Sequence, residues 1–376
     1  MRIDQILPSF SAHDGVGTDT LHIQELLQKQ GYTSDIFALK STSPHHTRKF
    51  EEYFSLPEKK ILIYHFSIGS RVPYYLWDVP AFKITRYHNI TPEHFFVSDF
   101  FQDAYYRCLE GRNQIGLVNT MSNLICSVSH FNASDFEQIG TRPSLVMPIV
   151  RQYETLVGLK PCSTTTQALN SVKGTKILFV GRGVPNKSPQ DLLLYLKLCR
   201  DFVDPAAKLW YVGGYHQGFC ETRLMHLAKD LGLSISFLPK NKSDFEKDVH
   251  FSGGVSDEVL AAYYRSADLF LSLSDHEGFG IPLVEAMTFG LPVVAHKAPG
   301  VAETLQHGGI LIDKHHPIQA MEVLRDVIQN DLERVRLGKC ASERAQAFAW
   351  PAIKEHFDRF LSKTIELEAL VDNRIK

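Results

Sequence analysis

The chain has 376 residues, 44% hydrophobic and 22% charged, an ordinary globular composition whose length suits two domains of roughly 100–200 residues each. A formal net charge of −2 excludes nucleic acid as a main partner, because phosphate-backbone binding needs a strongly basic surface. Six dispersed cysteines (Cys108, Cys126, Cys162, Cys199, Cys220 and Cys340), with no Cys-x-x-Cys pair, exclude a disulfide framework or cysteine zinc site and fit a reducing compartment.

The opening MRIDQILPSF lacks a basic stretch followed by an apolar run, so no signal peptide is expected. No segment approaches the ~20 apolar residues that span a bilayer. The expected location is the cytoplasm, with any membrane association at most peripheral; the sequence sets no oligomeric state. IDQILPSF (3–10) reads as a first strand, followed by the loop SAHDGVGTD (11–19) and a helix from about Thr18 to Lys29, with Leu21, Leu26 and Leu27 on its apolar face and Gly31 as its stop. YTSDIFAL, ILIYHFS (61–67), FKITRYH (82–88) and LICSVSH (124–130) read as further strands. A second series holds KILFVGR (176–182), KLWYVGG (208–214), DVHFSG (248–253), DLFLSLS (268–274) and PVVAH (292–296), with a helix at PQDLLLYLKLC (189–199). These predict an α/β fold of two Rossmann-like domains facing across a cleft: 1–156, a polar linker 157–174, and 175–350, with the helical tail 351–376 packing back on the first domain.

The segment DHEGFGIPLVEAMTFGLPVVAHKAPGVAETL (275–305) is the most informative. Pro282 is placed to open a helix that runs to about Phe289, with Gly290 as its cap. Backbone N–H groups in the Phe279–Gly280–Ile281 turn then suit an anionic or hydroxylated ligand. Glu277 lies just before the turn and Glu285 about one helical turn beyond it, so both carboxylates can face one ligand; two solvated glutamates are the plainer alternative. In VGRGVPNKSPQDLL (180–193), Arg182 and Lys187 share one loop, where two cations can neutralise a diphosphate.

Gly15 and Gly17 flank Val16 after the first strand, in either a tight turn or a ligand-contacting loop. His88 ends a strand, His65 ends another, and Ser129 and His130 follow a third; a lone histidine is more often structural. The aromatic-rich HFFVSDFFQDAYYRCL (94–109) reads as a helix with a buried stripe, or as a surface that stacks on sugars or touches lipid.

The spacing of Glu277 and Glu285 around GFGIPLV, continued by AMTFGLPVVAHKAPGVAETL, resembles the signature of glycosyltransferase family 4 and its retaining GT-B relatives. The resemblance is close from about 176 to 310 and loose over the first domain. It implies that Glu277 contacts the donor-sugar hydroxyls, Glu285 the ribose hydroxyls, and Arg182 with Lys187 the diphosphate, beside backbone groups of Phe279, Gly280 and Ile281. It further implies that the loop of Gly15 and Gly17 meets donor phosphate and acceptor, that His88 stands beside the donor sugar, and that backbone near Phe251 meets the base. The implied reaction moves a hexose of mannose or glucose type from a GDP- or UDP-sugar to a glycan or lipid-linked oligosaccharide in polysaccharide biosynthesis. It proceeds with retention by same-face attack, and no metal or other cofactor is expected. The rivals are a nucleotide-sugar epimerase or sugar phosphorylase of the same fold, and a non-catalytic glycan-binding subunit.

Overall fold

The computed structural model describes residues 1–57, 61–140 and 142–375. It divides into two units, one of Met1–Val97, Phe101–Gln152 and Trp350–Lys376, the other of Ser98–Phe100 and Tyr153–Ala349.

The first unit is built on strands β1 (Ile3–Phe10), β2 (Ile36–Ser41), β3 (Arg48–Lys49), β4 (Ile61–Phe66), β5 (Phe82–Tyr87), β6 (Leu124–Ser127) and β7 (Ser144–Val146). They form one parallel sheet in the order β3-β2-β1-β4-β5-β6-β7. Its central strands β4 and β5 are buried at every position, as expected where helices cover both faces. The tail forms the helix Trp350–Ile375, whose Ile353, Phe357, Phe360 and Leu361 recur at helical spacing. They bury against Ile3, Ile23, Leu26 and Ile61 in this unit's core. Residue 376 of the expected tail helix lies outside the described residues.

The second unit repeats the plan with β8 (Lys176–Val180), β9 (Lys208–Val212), β10 (Ile235–Phe237), β11 (Val249–Phe251), β12 (Leu269–Ser272), β13 (Val293–His296) and β14 (Ile310–Ile312). These are also all parallel, ordered β10-β11-β9-β8-β12-β13-β14. β3, β7, β10 and β14 are not anticipated from sequence: they are short edge strands, none of them fully buried, whereas the equally short β11 is buried at every position.

The polar stretch 157–174, expected as a connector, lies inside the second unit. It holds a helix, Ser163–Asn170, packed on the helix Asp257–Ser266, and the Cys162 N–H donates to the Glu258 carbonyl at 3.1 Å. Its single fully buried side chain, Leu169, leaves no periodicity to read. The aromatic stretch 94–109 is split: Phe96 and Phe101 are buried, Phe100 is part of the second unit, and Tyr106 is exposed. Among the described residues no helix is long and apolar enough to cross a membrane.

His250, on β11, is fully buried against Trp210 at 5.9 Å and edge-on to Phe245 and Tyr263, and its ring nitrogens have no hydrogen-bond partner among the described residues. Burial pushes its pKa down to about 3. The unfolded imidazole takes up its proton near 6.5, so between those values the unfolded chain binds more protons than the native one. Stability is therefore complete above about pH 6.5 and falls as acid is added. Urea unfolding at stepped pH will show a His250→Phe variant losing less stability than the native protein between pH 6.5 and 4.

Candidate active site

In the second unit the site is assembled from loops at the carboxyl ends of adjacent strands β8 and β12, where open parallel sheets present their ligand sites. After β8 the chain turns sharply at Gly181, whose N–H donates to the Val212 carbonyl at 2.8 Å. A side chain on Gly213, which sits at φ +138°, would place its Cβ 2.2 Å from the Gly181 carbonyl oxygen. Glycine there lets the end of β9 press on the loop that carries Arg182. Tyr211 anchors the same loop by donating its hydroxyl proton to the Arg182 carbonyl at 2.9 Å. The Arg182 side chain is exposed and makes no ion pair among the described residues.

Lys187 closes a one-turn helix, Pro185–Lys187, and Ser188 adopts the left-handed conformation at φ +48° before the helix Pro189–Phe202 begins. From β12 the chain reaches Asp275, Glu277 and then Gly280, at φ +84°, which opens the helix Ile281–Thr288 with Pro282 as its second residue. The Lys187 ammonium lies 2.6 Å from a Glu277 carboxylate oxygen, with both side chains mostly covered (16% and 14% exposed). The fold thus joins two of the expected site residues directly. Glu285 lies one turn into the helix, 4% exposed, and accepts a hydrogen bond from the Tyr264 hydroxyl at 2.8 Å.

The turn itself is held from behind. The Phe279 ring is buried edge-on to Phe348 at 5.6 Å, and its carbonyl accepts the Thr304 hydroxyl. Only the amide side of the turn at Phe279, Gly280 and Ile281 is therefore placed for a ligand. Phe251, expected near a base, stacks in the core on Tyr211 and Phe237, and its carbonyl accepts the Leu238 N–H at 2.7 Å. Its backbone pairs inside the sheet, opposite Phe237 and Tyr211.

Sequence reading missed the residue that ties the two loops together. The Lys314 ammonium is buried, 2.6 Å from Asp191 and from Asp275, 2.9 Å from the Ser188 hydroxyl and 3.0 Å from the Leu273 carbonyl. Alongside it, the Asp275 N–H donates to the Asn186 carbonyl at 2.9 Å, and the Asn186 amide donates to the His276 carbonyl at 3.3 Å. Lys314 follows a three-residue edge strand, so nothing in its sequence neighbourhood marks it.

In the first unit, Asp14 caps the helix Gly15–Lys29 by accepting the Gly17 N–H at 2.7 Å, so that helix starts three residues earlier than its apolar pattern indicates. Gly15 is the first helical residue. A Cβ on Gly17 would lie 1.8 Å from the Ser11 carbonyl oxygen, which explains glycine at that position by packing. Ser129 is likewise a helix cap, accepting the Asn132 N–H at 3.2 Å.

His88 follows β5 in a turn where Asn89 sits at φ +78° and the Ile90 N–H donates to the Tyr87 hydroxyl at 3.2 Å. The ring of His88 stacks on that of His65, with its Nε2 2.9 Å from His65 Nδ1 and 3.6 Å from Asp19. Asp19 is itself fully buried and paired with Arg86, whose Nε and Nη2 each donate at 3.0 Å. Burial, then the neighbouring His88 and Arg86, hold His65 well below the usual imidazole range. Burial and Arg86 do the same to His88.

Two groups bring three possible metal-ligand atoms together, Asp19–His65–His88 and Asp275–His296–His315. In each the carboxylate already faces a buried cation, Arg86 or Lys314, which competes with a metal for the same oxygens.

The second unit is thus a parallel α/β body whose loops set two cations and two carboxylates around a helix N-terminus, a build for an anionic, hydroxylated ligand. Residues 165–344 match the family model described as Glycosyl transferases group 1. The D-inositol 3-phosphate glycosyltransferase of Corynebacterium kroppenstedtii is 33% identical over 187 residues, 48% of this chain and 39% of that protein. That of Paenarthrobacter aurescens is 26% identical over 260 residues, 66% of this chain and 57% of that protein. The chain therefore covers well under two thirds of these curated relatives.

Among solved structures, sucrose-phosphate synthase from Thermosynechococcus elongatus aligns at a TM-score of 0.73 and 17% identity, covering 96% of this chain and 99% of its own. Anabaena HepE in complex with UDP-glucose aligns at 0.73 and 18% identity, with the same coverage. At these identities the likeness establishes the fold: the chain has the two-unit parallel α/β fold of GT-B glycosyltransferases.

Replacing Lys314 with Met strands the carboxylates of Asp191 and Asp275 beside an apolar side chain. Both carboxylates are partly exposed, at 27% and 29%, so water softens the loss to about 1–3 kcal/mol, which denaturant unfolding will show. Gly300 offers a milder probe of the same loop. It sits at φ +81°, and a Cβ there would lie 2.1 Å from the Glu277 carbonyl oxygen. Gly300→Ala will destabilise by at least about 1 kcal/mol, and in a crystal structure will displace the backbone at Glu277.

Proposed function

We propose that this chain is a metal-independent, retaining hexosyltransferase that takes its sugar from a nucleotide diphosphate donor held by residues 153–349. The observation that carries this reading is the Lys187–Glu277 ion pair, on a loop shared with Arg182 and one helical turn from Glu285. In it, Lys187 and Arg182 offset the charge that grows on the departing diphosphate, a preorganised electrostatic effect. Glu277 releases Lys187 to phosphate and turns to the sugar hydroxyls, while Glu285 accepts from the ribose.

Metal independence is supported by the side chains themselves, since the two acid–histidine groups have carboxylates engaged by buried cations. UDP-glucose is the first donor to test, because HepE of the same fold was crystallised with it; GDP-mannose is the second. The proposed acceptor is a glycan or lipid-linked saccharide, the proposed setting polysaccharide biosynthesis, and the proposed location the cytoplasm, in peripheral contact with a membrane.

The test is a thermal shift screen of nucleotide sugars with EDTA present, because a ligand of the folded state raises Tm as its concentration passes Kd. One nucleotide series will stabilise the native protein, and Arg182→Ala will weaken that binding by roughly 10- to 100-fold, as expected for one charge-assisted phosphate contact. Proton NMR of the transferred sugar will then report the donor's own anomeric configuration. Absence of any shift at millimolar nucleotide sugar overturns the donor reading, and an inverted product overturns retention.

A further inference from the structure

The two cations on the loop after β8 are not equivalent. Arg182 is exposed and makes no ion pair among the described residues. Lys187 has its ammonium 2.6 Å from the Glu277 carboxylate, and neither side chain makes another ion pair among the described residues. Both are mostly covered, so each charge has lost much of its water and depends on the other.

The backbone on both sides of the pair is tied down. Asn186 clamps the two loops: its carbonyl accepts the Asp275 N–H at 2.9 Å, and its buried side-chain amide donates to the His276 carbonyl at 3.3 Å. The Glu277 N–H donates to the Pro299 carbonyl at 3.4 Å, and a Cβ on Gly300 would meet the Glu277 carbonyl oxygen. Separating the pair therefore falls to the two side chains, because their loops are held.

That constraint sets a different cost for different ligands. A diphosphate that draws Lys187 away leaves the Glu277 carboxylate mostly covered and uncompensated, which is unfavourable. A diphosphate that carries a sugar brings hydroxyl donors to replace the ammonium, so both members of the pair are satisfied again.

We propose that the Lys187–Glu277 pair is a specificity device that couples recognition of the two halves of the donor, favouring a sugar-bearing nucleoside diphosphate over the bare one. It rests on the transferase reading for the roles of the two side chains, and it lies wholly within residues 153–349. Transfer of the sugar then turns a matched ligand into a mismatched one, because the nucleoside diphosphate left behind offers Glu277 no hydroxyl of the sugar. The device thereby promotes product release. Arg182, outside the pair, meets phosphate in either ligand and gives no such discrimination.

The experiment is isothermal titration of UDP, GDP, UDP-glucose and GDP-mannose into the native protein, Glu277→Gln and Arg182→Ala, with EDTA present. Glu277→Gln keeps the side chain's shape and removes its charge, so Lys187 becomes available to phosphate. The nucleoside diphosphate of the base that binds will bind this variant about fivefold more tightly than the native protein, as expected for one partly covered ion pair. Its sugar-bearing form will bind about tenfold more weakly, as expected for one charge-assisted hydrogen bond. Arg182→Ala will weaken both forms alike. Lost packing would not tighten one ligand while it loosens the other.

Weaker or unchanged binding of the nucleoside diphosphate to Glu277→Gln overturns the proposal. A second measurement needs no ligand: proton–nitrogen NMR of the lysine ammonium groups at low temperature. The Lys187 signal, protected from exchange by its carboxylate partner, is expected in the native protein and lost in Glu277→Gln. Its absence from the native spectrum overturns the pairing, whatever the protein binds. A native protein that binds none of the four ligands sinks the transferase reading instead, and the ammonium signal still decides whether the pair forms.

Discussion

A primary ammonium has no place in a protein interior unless acceptors surround it, and Lys314 meets that condition with groups from three separate stretches of chain. Asp191 and Ser188 come from the β8 side, Asp275 and Leu273 from the β12 side, and Lys314 itself from the end of β14. Because the buried ammonium draws its compensation from a carboxylate on each of two loops, the three stretches hold their relative positions. The placement of Lys187 against Glu277 follows, since each lies within two residues of a group in this cluster. The Lys187–Glu277 pair is thus positioned by a buried charge that lies outside it.

The first unit uses the same device with opposite polarity. There Asp19 is the buried carboxylate and Arg86 the compensating cation, with the carbonyls of Met147 and Pro148, at 2.6 and 2.8 Å, and the Cys126 sulfur, at 3.5 Å, accepting the remaining guanidinium protons. The fixed charge pair sits beside two imidazoles that burial keeps neutral.

Several motif residues act on protein before they can act on ligand. Gly17 and Gly213 stand where a Cβ would collide with a carbonyl, and Gly280 adopts the left-handed conformation that starts the helix of Glu285. Phe279 turns its ring to the core and its carbonyl to Thr304. The 275–305 segment is therefore recognisable partly because it encodes a self-supporting turn, in which amide groups and two carboxylates are what remains for chemistry.

The α/β class and ten of the fourteen strands among the described residues are legible along the chain, because apolar runs bounded by glycine or polar turns report local structure. The cation loop and the two glutamates are legible too, because their spacing is short enough for local geometry to bring them near one ligand. Other features are not local. Lys314 meets Ser188 across 126 residues, Arg86 meets Asp19 across 67, and His65 meets Gln5 across 60. Buried polar residues in such strands look like misplaced polarity when read alone. Composition and periodicity thus determined the fold class and the residues with chemistry to offer. Only the tertiary structure decided which charges are compensated and which imidazoles are held neutral, because those depend on partners that sequence distance hides and burial makes obligatory.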